Sequence, residues 1–360
     1  MPAAPKNIDD ITPAWLTDAL RENGFLEAGN TVVSYERKII GEGTGYASRM
    51  ARYALTLAQP SSLAPASLVI KIEPETEQQQ AVMNEFHTFE REIRFYREIA
   101  PTAPLRLPRI YFTYAESPRF AIGMEDLSHF TPGDQLIGMP YDQVERVVTA
   151  LAKLQAMYWQ NDHLDTLDWM PTENNFERAF DDSHWQGFCR VLGKTVSTEG
   201  IAAGERFRHH IHWIEEQINA APKTLVHYDL REDNMLFGQP GTADEFIIVD
   251  WQVTVRGCGA YDVARLMAGS ETPAQREGHQ LEILRTWHDA LLAHGVTGYS
   301  FEDALYHFKL CLMSYCSIPV FFHEFLDLVG GERNPKLLAA MAQRGFAAVV
   351  ELNATDILPQ

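Results

Sequence analysis

The chain has 360 residues, 46% of them hydrophobic and 22% charged, and a formal net charge of −19 at pH 7. This is the balance of a globular protein rather than a disordered one, and the length suits two lobes of ordinary domain size better than one small core. The acidity argues against a nucleic-acid partner, whose phosphates need a basic surface; it is compatible with a cationic substrate and also serves solubility.

The first element is a helix with clear punctuation: Thr12 as N-cap, Pro13 at the first helical position and Gly24 as the stop. From 31 to 72 the pattern turns to strands, "TVVSYERKII" and "YASRMARYALTL", then a Pro/Ser loop, "AQPSSLAPAS", and the short apolar strand "LVIKIE". Residues 78–99 lack Gly and Pro and predict one helix, with Phe86, Phe89, Ile93 and Tyr96 at helical spacing. "RIYFTYAE" and "RFAIGMEDL" return to strand. After about residue 140 the chain reads as mainly helical, over 141–160, 176–194, 203–220, 260–268, 274–294, 300–328 and 334–352. Short apolar stretches at Leu225–Val226, Met235–Phe237 and Phe246–Asp250 interrupt it.

Cys189, Cys258, Cys311 and Cys316 match no zinc spacing and read as free thiols of a reducing compartment. The N-terminus, "MPAAPKNIDDITPAWL", has no basic segment followed by an apolar one. No run approaches the ~20 apolar residues of a membrane span. The most apolar stretch, "KLCLMSYCSIPVFF" (309–322), is short and carries Lys, Ser and Pro. The expected location is the cytoplasm.

Four features carry chemistry. Gly41, Gly43 and Gly45 between two strands make a turn whose backbone N–H groups can approach phosphates, although such a turn also occurs as a plain hairpin. Lys71 stands among apolar strand residues, where a lysine needs a partner unless it lies on a strand edge facing solvent. Glu92 on the following helix sits at the edge of the apolar face and is the partner that would hold Lys71 against nucleotide phosphates; Glu85, Glu90 and Glu98 read as solvated helix charges. Last, "LVHYDLREDNMLF" holds Asp229 five residues before Asn234, and "FIIVDWQ" ends on Asp250. That spacing is the one a kinase catalytic loop uses, with the Asp accepting the proton of the attacking hydroxyl and the Asn binding a metal ion. Asp250, after an apolar strand, supplies a carboxylate for the same Mg²⁺, which takes oxygen ligands and retains waters.

These stretches, with "GEGTGY", "FEREIRFYREI", "IGMEDLS", "LAKLQAMYW" and "GAYDVARLM", resemble the aminoglycoside-phosphotransferase-like and choline-kinase-like small-molecule kinases, and most of all the ecdysteroid-kinase-like branch. The resemblance implies an α+β, two-lobed protein-kinase-like fold: an N-terminal extension over 1–30, an antiparallel-sheet lobe over 31–127 that binds nucleotide, and a helical lobe over 128–360 with the catalytic loop. It implies ATP and Mg²⁺, with Lys71 on the α/β-phosphates, Glu92 holding Lys71, Asp229 as base, and Asn234 and Asp250 as metal ligands. Backbone groups of Met124, Glu125 and Leu127 would receive the adenine at an interlobe hinge. Asp262 resembles the structural aspartate that steadies the catalytic loop. Two positions depart from the related proteins, which often have His at Gln155 and Gly at Tyr228; neither removes a group the chemistry requires.

The expected activity is transfer of a phosphoryl group to a small-molecule hydroxyl by a monomer or homodimer, with no nucleic-acid or membrane partner. The acceptor stays open between a lipophilic alcohol and a cationic amino alcohol or aminoglycoside, for which Glu302, Glu324 or Asp327 would have to face the site. A nucleotide-binding pseudokinase is the reading from another class. A protein kinase is disfavoured because no APE-like segment follows Asp250. His209, His210 and His212 read as neutral helix-face histidines. The aromatic run from Tyr315 to Phe325, with Trp159 and Trp185, reads as core packing before pocket lining.

Overall fold

The computed structural model describes residues 3–41, 48–74, 76–116, 119–172, 180–326 and 332–360. The chain divides into two units. One holds the chain up to Thr102 with Arg106–Thr131 and Gly238–Val253; the other holds Ala103–Leu105, Pro132–Phe237 and Thr254–Gln360.

The first unit is built on a five-stranded antiparallel sheet. Its strands are β1 (Val32–Ile40), β2 (Arg49–Leu57), β3 (Ser67–Ile72), β4 (Ile110–Glu116) and β5 (Arg119–Glu125), in the order β1-β2-β3-β5-β4. Strand β3 is central and covered on both faces, so the edge-strand reading of Lys71 does not apply. Alternation along β3 sorts its side chains. Leu68, Ile70 and Ile72 join a core with Leu16 and Leu20 of α1 (Pro13–Glu22), a helix capped as expected by Thr12 accepting from Trp15 N–H. Val69 faces the opposite core, with Phe89, Ile93, Ile122 and Met124. Lys71 shares the parity of Val69 and so points to the helical side.

That helical side is not the single helix expected over 78–99. Helix α2 (Glu77–Glu85) ends, His87 takes φ +50°, and α3 (Thr88–Arg94) runs into a π-turn at Phe95–Ile99. Phe86 is exposed, whereas Phe89 and Ile93 are buried. Helix α2 is mostly polar, so little packing holds it in line with α3, and tertiary contacts rather than propensity decide where a short helix breaks.

The second unit is mainly helical and contains a two-stranded antiparallel ribbon. Helix α4 (Tyr141–Met157) buries Val144, Val147, Val148, Leu151 and Leu154, a regular apolar stripe, and packs on the helix Gln280–Ala293. There follow α5 (Asp182–Val191), α6 (Thr198–Arg208) and α7 (Ile211–Ala220); the helix expected over 203–220 is thus two, joined by a turn at His209–His210. Strand β6 (Lys223–Val226) pairs antiparallel with β7 (Val255–Cys258). Helix α8 (Ala260–Ser270) is buried at every residue and packs on the helices Phe301–Tyr315 and Arg333–Glu351. The rest are α9 (Pro273–Arg276), α10 (Gln280–Ala293), α11 (Phe301–Tyr315), α12 (Ser317–Phe322) and α13 (Arg333–Glu351).

By length and composition the stretch Phe301–Phe322 could cross a membrane, but 67% of its most apolar window is buried inside the protein. Tyr315, Ile318 and Val320 are core residues, Trp185 stacks near Phe188 and Phe346, and Trp159 meets Tyr299 at 4.8 Å. Tyr315 and Trp185 are thus core residues as expected, whereas Trp159 and Phe321 are half-buried and Phe322 is exposed, so the aromatic run is not core packing throughout.

Candidate functional site

In the first unit, Lys71, Glu92 and Asp250 come together. Lys71 Nζ donates to Glu92 Oε2 at 2.7 Å and to Asp250 Oδ1 at 2.8 Å. Lys71 and Glu92 are 4% and 1% exposed, while the side chain of Asp250 stays 26% exposed. Lys71 reaches this cluster because it lies between Met50 of β2 and Ile122 of β5 with its side chain on the α3 face. Glu92 reaches it because it stands three residues after Phe89 and one before Ile93, both anchored in the same core.

Asp250 is aimed by its backbone. It takes φ +66°, a left-handed conformation that is strained for a non-glycine residue. The next residue, Trp251, is fully buried, stacks on Phe95 at 4.1 Å and donates its indole N–H to Ile248 O. Gln252 Nε2 donates to Asp250 Oδ2 at 3.3 Å. Burial works against the charge on Lys71, but Asp250 and Glu92 outweigh it and raise its pKa above that of an ordinary lysine. On Glu92 burial prevails over Lys71 and the pKa rises.

The other expected nucleotide contacts in this unit are less open. Met124 and Leu127 are mostly buried, and Met124 is in register with Val69 on one side and Ile110 on the other. Glu125 N–H donates to Arg109 O, its carboxylate accepts from Arg106 and from Arg109 N–H, and Leu127 O accepts from Phe130 N–H. Two of the backbone groups that would meet an adenine are therefore taken. Gly41 closes β1 with φ +75°; Gly43 and Gly45 lie outside the described residues.

In the second unit, Asp229 and Asn234 come together. Asn234 Nδ2 donates to both the backbone O and the Oδ2 of Asp229, each at 2.9 Å. With its nitrogen committed, the amide of Asn234 has its oxygen as the remaining acceptor. The loop is pinned from α8: Asp262 accepts His227 N–H and Tyr228 N–H, both at 2.9 Å. Burial lifts Asp262 to about 7 although those N–H groups pull the other way. Gln155 completes the support. Its Nε2 donates to Asp262 Oδ2 at 3.3 Å and its Oε1 accepts Trp287 Nε1–H at 2.7 Å. Tyr228 takes φ +71° and stacks on Tyr261 at 4.2 Å, so a glycine-like conformation is kept here by a tyrosine held through its ring.

Two groups on Asp229 were not anticipated. Arg265 Nη2 donates to Asp229 Oδ1, and Arg231 Nε donates to Oδ2 at 3.2 Å. Burial opposes the charge on Asp229, yet Arg231 and Arg265 outweigh it and hold the carboxyl well below the usual carboxylate range. A signal existed in the sequence: Asp262 and Arg265 stand at i, i+3 on one helix, a spacing that places both on one face. Asp262 was recognised by resemblance and Arg265 was not.

Other expected residues lie elsewhere. His209 and His212 are exposed beside Glu205 and Glu216, Glu324 is 3.4 Å from His184, Glu302 is in the exposed first turn of α11, and Asp327 lies outside the described residues. Each unit separately offers an oxygen donor of the kind magnesium takes, the partly exposed carboxylate of Asp250 in the first and the amide oxygen of Asn234 in the second. Among the described residues no three His, Cys, Asp or Glu side chains gather as a metal site of their own.

The sequence model of the ecdysteroid kinase-like family matches residues 42–296. No curated protein sequence matches the chain. Among solved structures, a microcompartment-associated aminopropanol kinase superposes with a TM-score of 0.54 at 13% identity, covering 95% of this chain and 98% of that one. A provisionally named aminoglycoside phosphotransferase from Ralstonia eutropha gives 0.52 at 18% identity, covering 93% and 98%. At these identities the likeness establishes the fold, a protein-kinase-like phosphotransferase architecture with an antiparallel-sheet region before a helical one.

Proposed function

The chain belongs to the ecdysteroid kinase-like family and is a small-molecule kinase acting on hydroxyl groups, and from that premise we propose that it moves the γ-phosphoryl group of ATP, with Mg²⁺, to a lipophilic alcohol of steroid or terpenoid kind. One observation carries the nucleotide half of this reading: residues 21 and 179 positions apart in the sequence meet Lys71 in a buried cluster. A lysine held by one buried and one partly exposed carboxylate is suited to phosphates, because its charge is fixed and its position does not drift.

In this reading Lys71 holds the α/β-phosphates and Glu92 holds Lys71. Asp250 and Asn234 are the magnesium ligands, and the ion, when bound, neutralises phosphate charge. Asp229 orients the acceptor hydroxyl and takes its proton. A carboxylate held so far down is a weak base, which suits a loose phosphoryl-transfer transition state in which the hydroxyl loses its proton late. The protein works in the cytoplasm on a small molecule. The steroid or terpenoid class is supported by the family's description alone; Phe308 and Tyr315 of α11 are spent in the core, while Phe322 of α12 is exposed.

The test is ADP release from Mg·ATP across a panel of sterols, terpene alcohols, choline, amino alcohols and aminoglycosides. Release with sterols or terpene alcohols is the expected result. Release only with amines would move the acceptor to the cationic class. Magnesium-dependent nucleotide binding with no transfer to any alcohol would replace the kinase with a nucleotide-binding regulator.

A further inference from the structure

The two oxygens of Asp229 have different surroundings. Oδ2 meets Asn234 Nδ2 and Arg231 Nε, and the Arg231 side chain is 20% exposed and also engages Asp233 and Gln135. Oδ1 meets only Arg265 among the hydrogen bonds seen, and the Arg265 side chain is 4% exposed. Arg265 lies 5.0 Å from the centroid of the Tyr315 ring, which closes one face of the guanidinium. Among the described residues its Nε and Nη1 have no hydrogen-bond partner, and Asp229 is the one carboxylate paired with it. The arginine on Oδ2 is partly exposed and shared, so its contact can exchange with solvent or ligand; the arginine on Oδ1 is buried.

A carboxylate held on one oxygen by a buried arginine and on the other by a partly exposed, shared one has a fixed plane and a single working edge. We propose that Arg265 is a positioning residue that, from α8, sets the plane of the Asp229 carboxylate and turns Oδ2 toward the acceptor hydroxyl. The inference rests on the reading of Asp229 as the group that receives the acceptor hydroxyl. Helix α8 then addresses three consecutive loop residues from one face: Asp262 holds the N–H groups of His227 and Tyr228, and Arg265 holds the side chain of Asp229. The backbone and the carboxylate of the loop are thereby referred to one rigid, fully buried helix. Arg265 touches no reacting atom; it acts through Asp229.

The experiment measures ADP release from Mg·ATP, with water as acceptor and with each alcohol of the panel, for wild type, D229N, R265M and R265K. Bound nucleotide is counted so that kcat is per folded molecule. A purely packing role would lower the folded fraction and leave kcat per folded molecule alone. Positioning predicts a kcat for R265M lower by roughly tenfold to a hundredfold, since a misplacement of about 1 Å costs that much. The KM for ATP should stay within about twofold, because the nucleotide is held by other residues, and R265K should recover part of kcat through its retained charge. If R265M does not fold, R265K decides by the same split: a kcat loss at constant KM supports the proposal and an unchanged kcat overturns it. An R265M kcat equal to wild type, or a loss confined to KM, overturns it as well. Activity in D229N would instead overturn the role given to Asp229, and no ADP release from wild type with any acceptor would overturn both.

Discussion

In the first unit one lysine is held by two carboxylates; in the second, one carboxylate is held by two arginines and an amide. Both clusters are mostly buried, but the central group and its partners have opposite signs in the two. Around Lys71 there is one more negative group than positive, which under the proposed function suits a site that gains a divalent cation. Counting only the groups in direct contact, Asp229 meets two positive groups, of which Arg231 is shared with Asp233 and Arg265 is not, which suits a carboxylate that must stay ionised and oriented. They differ as well in redundancy. Lys71 keeps Glu92 if Asp250 is lost, whereas among the described residues Arg265 has no second carboxylate. The same chemical deletion, a carboxylate made neutral, therefore has different structural consequences in the two units.

Four outcomes would sharpen or break that comparison. The largest effect is expected for D229N, which strands a buried guanidinium. It should lose about 3–5 kcal/mol of stability, the usual consequence of removing one partner of a buried pair, as well as turnover. Adding R265M to D229N should raise the urea midpoint again; a double variant less stable than D229N would show that Arg265 is not held mainly by this pair. D250N should abolish turnover with a stability change of roughly 1 kcal/mol or less, because its side chain is partly exposed and Lys71 retains Glu92. A D250N protein as unstable as D229N would break the redundancy argument.

The third outcome concerns pH. Burial pushes Glu271 up to about 7 against the pull of Arg276, and likewise raises Glu232 and Glu73 to about 7. A carboxyl raised on folding holds a proton that the unfolded chain releases. Its contribution is full below the unfolded pKa near 4.5 and is lost as pH rises through about 7. The urea midpoint should therefore fall from pH 5 to pH 8, and E271Q should flatten the slope by roughly 1–3 kcal/mol over that range. An unchanged slope in E271Q would assign the pH dependence elsewhere.

The smallest effect is at Tyr228. Y228G relieves a left-handed conformation worth about 1 kcal/mol but removes a ring stack of similar size, so the melting temperature should barely move. Y228A keeps the backbone strain and loses the stack, and should melt below both wild type and Y228G. If Y228A matched wild type, the stack on Tyr261 would not be what holds the loop in place.

Much of this was legible in the chain because it is written in local patterns. The Thr12–Pro13 helix start, the strand run from 31 to 72, and the ordered set Lys71, Glu92, Asp229, Asn234 and Asp250 all rest on spacing and residue type. Helix breaks were not legible. Whether 78–99 or 203–220 continues through His87 or His209–His210 depends on which core each half packs against, and neither segment contains a proline to announce the break. The partners of Asp229 were half legible: the Asp262–Arg265 spacing was present, but a helix face has no meaning until something lies against it.

The sequence by itself determined the chemistry available to this protein, because side-chain identity and short-range periodicity need no fold to be read. Tertiary structure alone decided which charges became neighbours. Lys71 meets Asp250 across 179 residues and Arg265 meets Asp229 across 36, and such pairs are chosen by how strands and helices bury their apolar faces. Burial then sets what each group can do, since the same carboxylate is a solvated charge on a surface and a fixed, oriented one against a buried guanidinium.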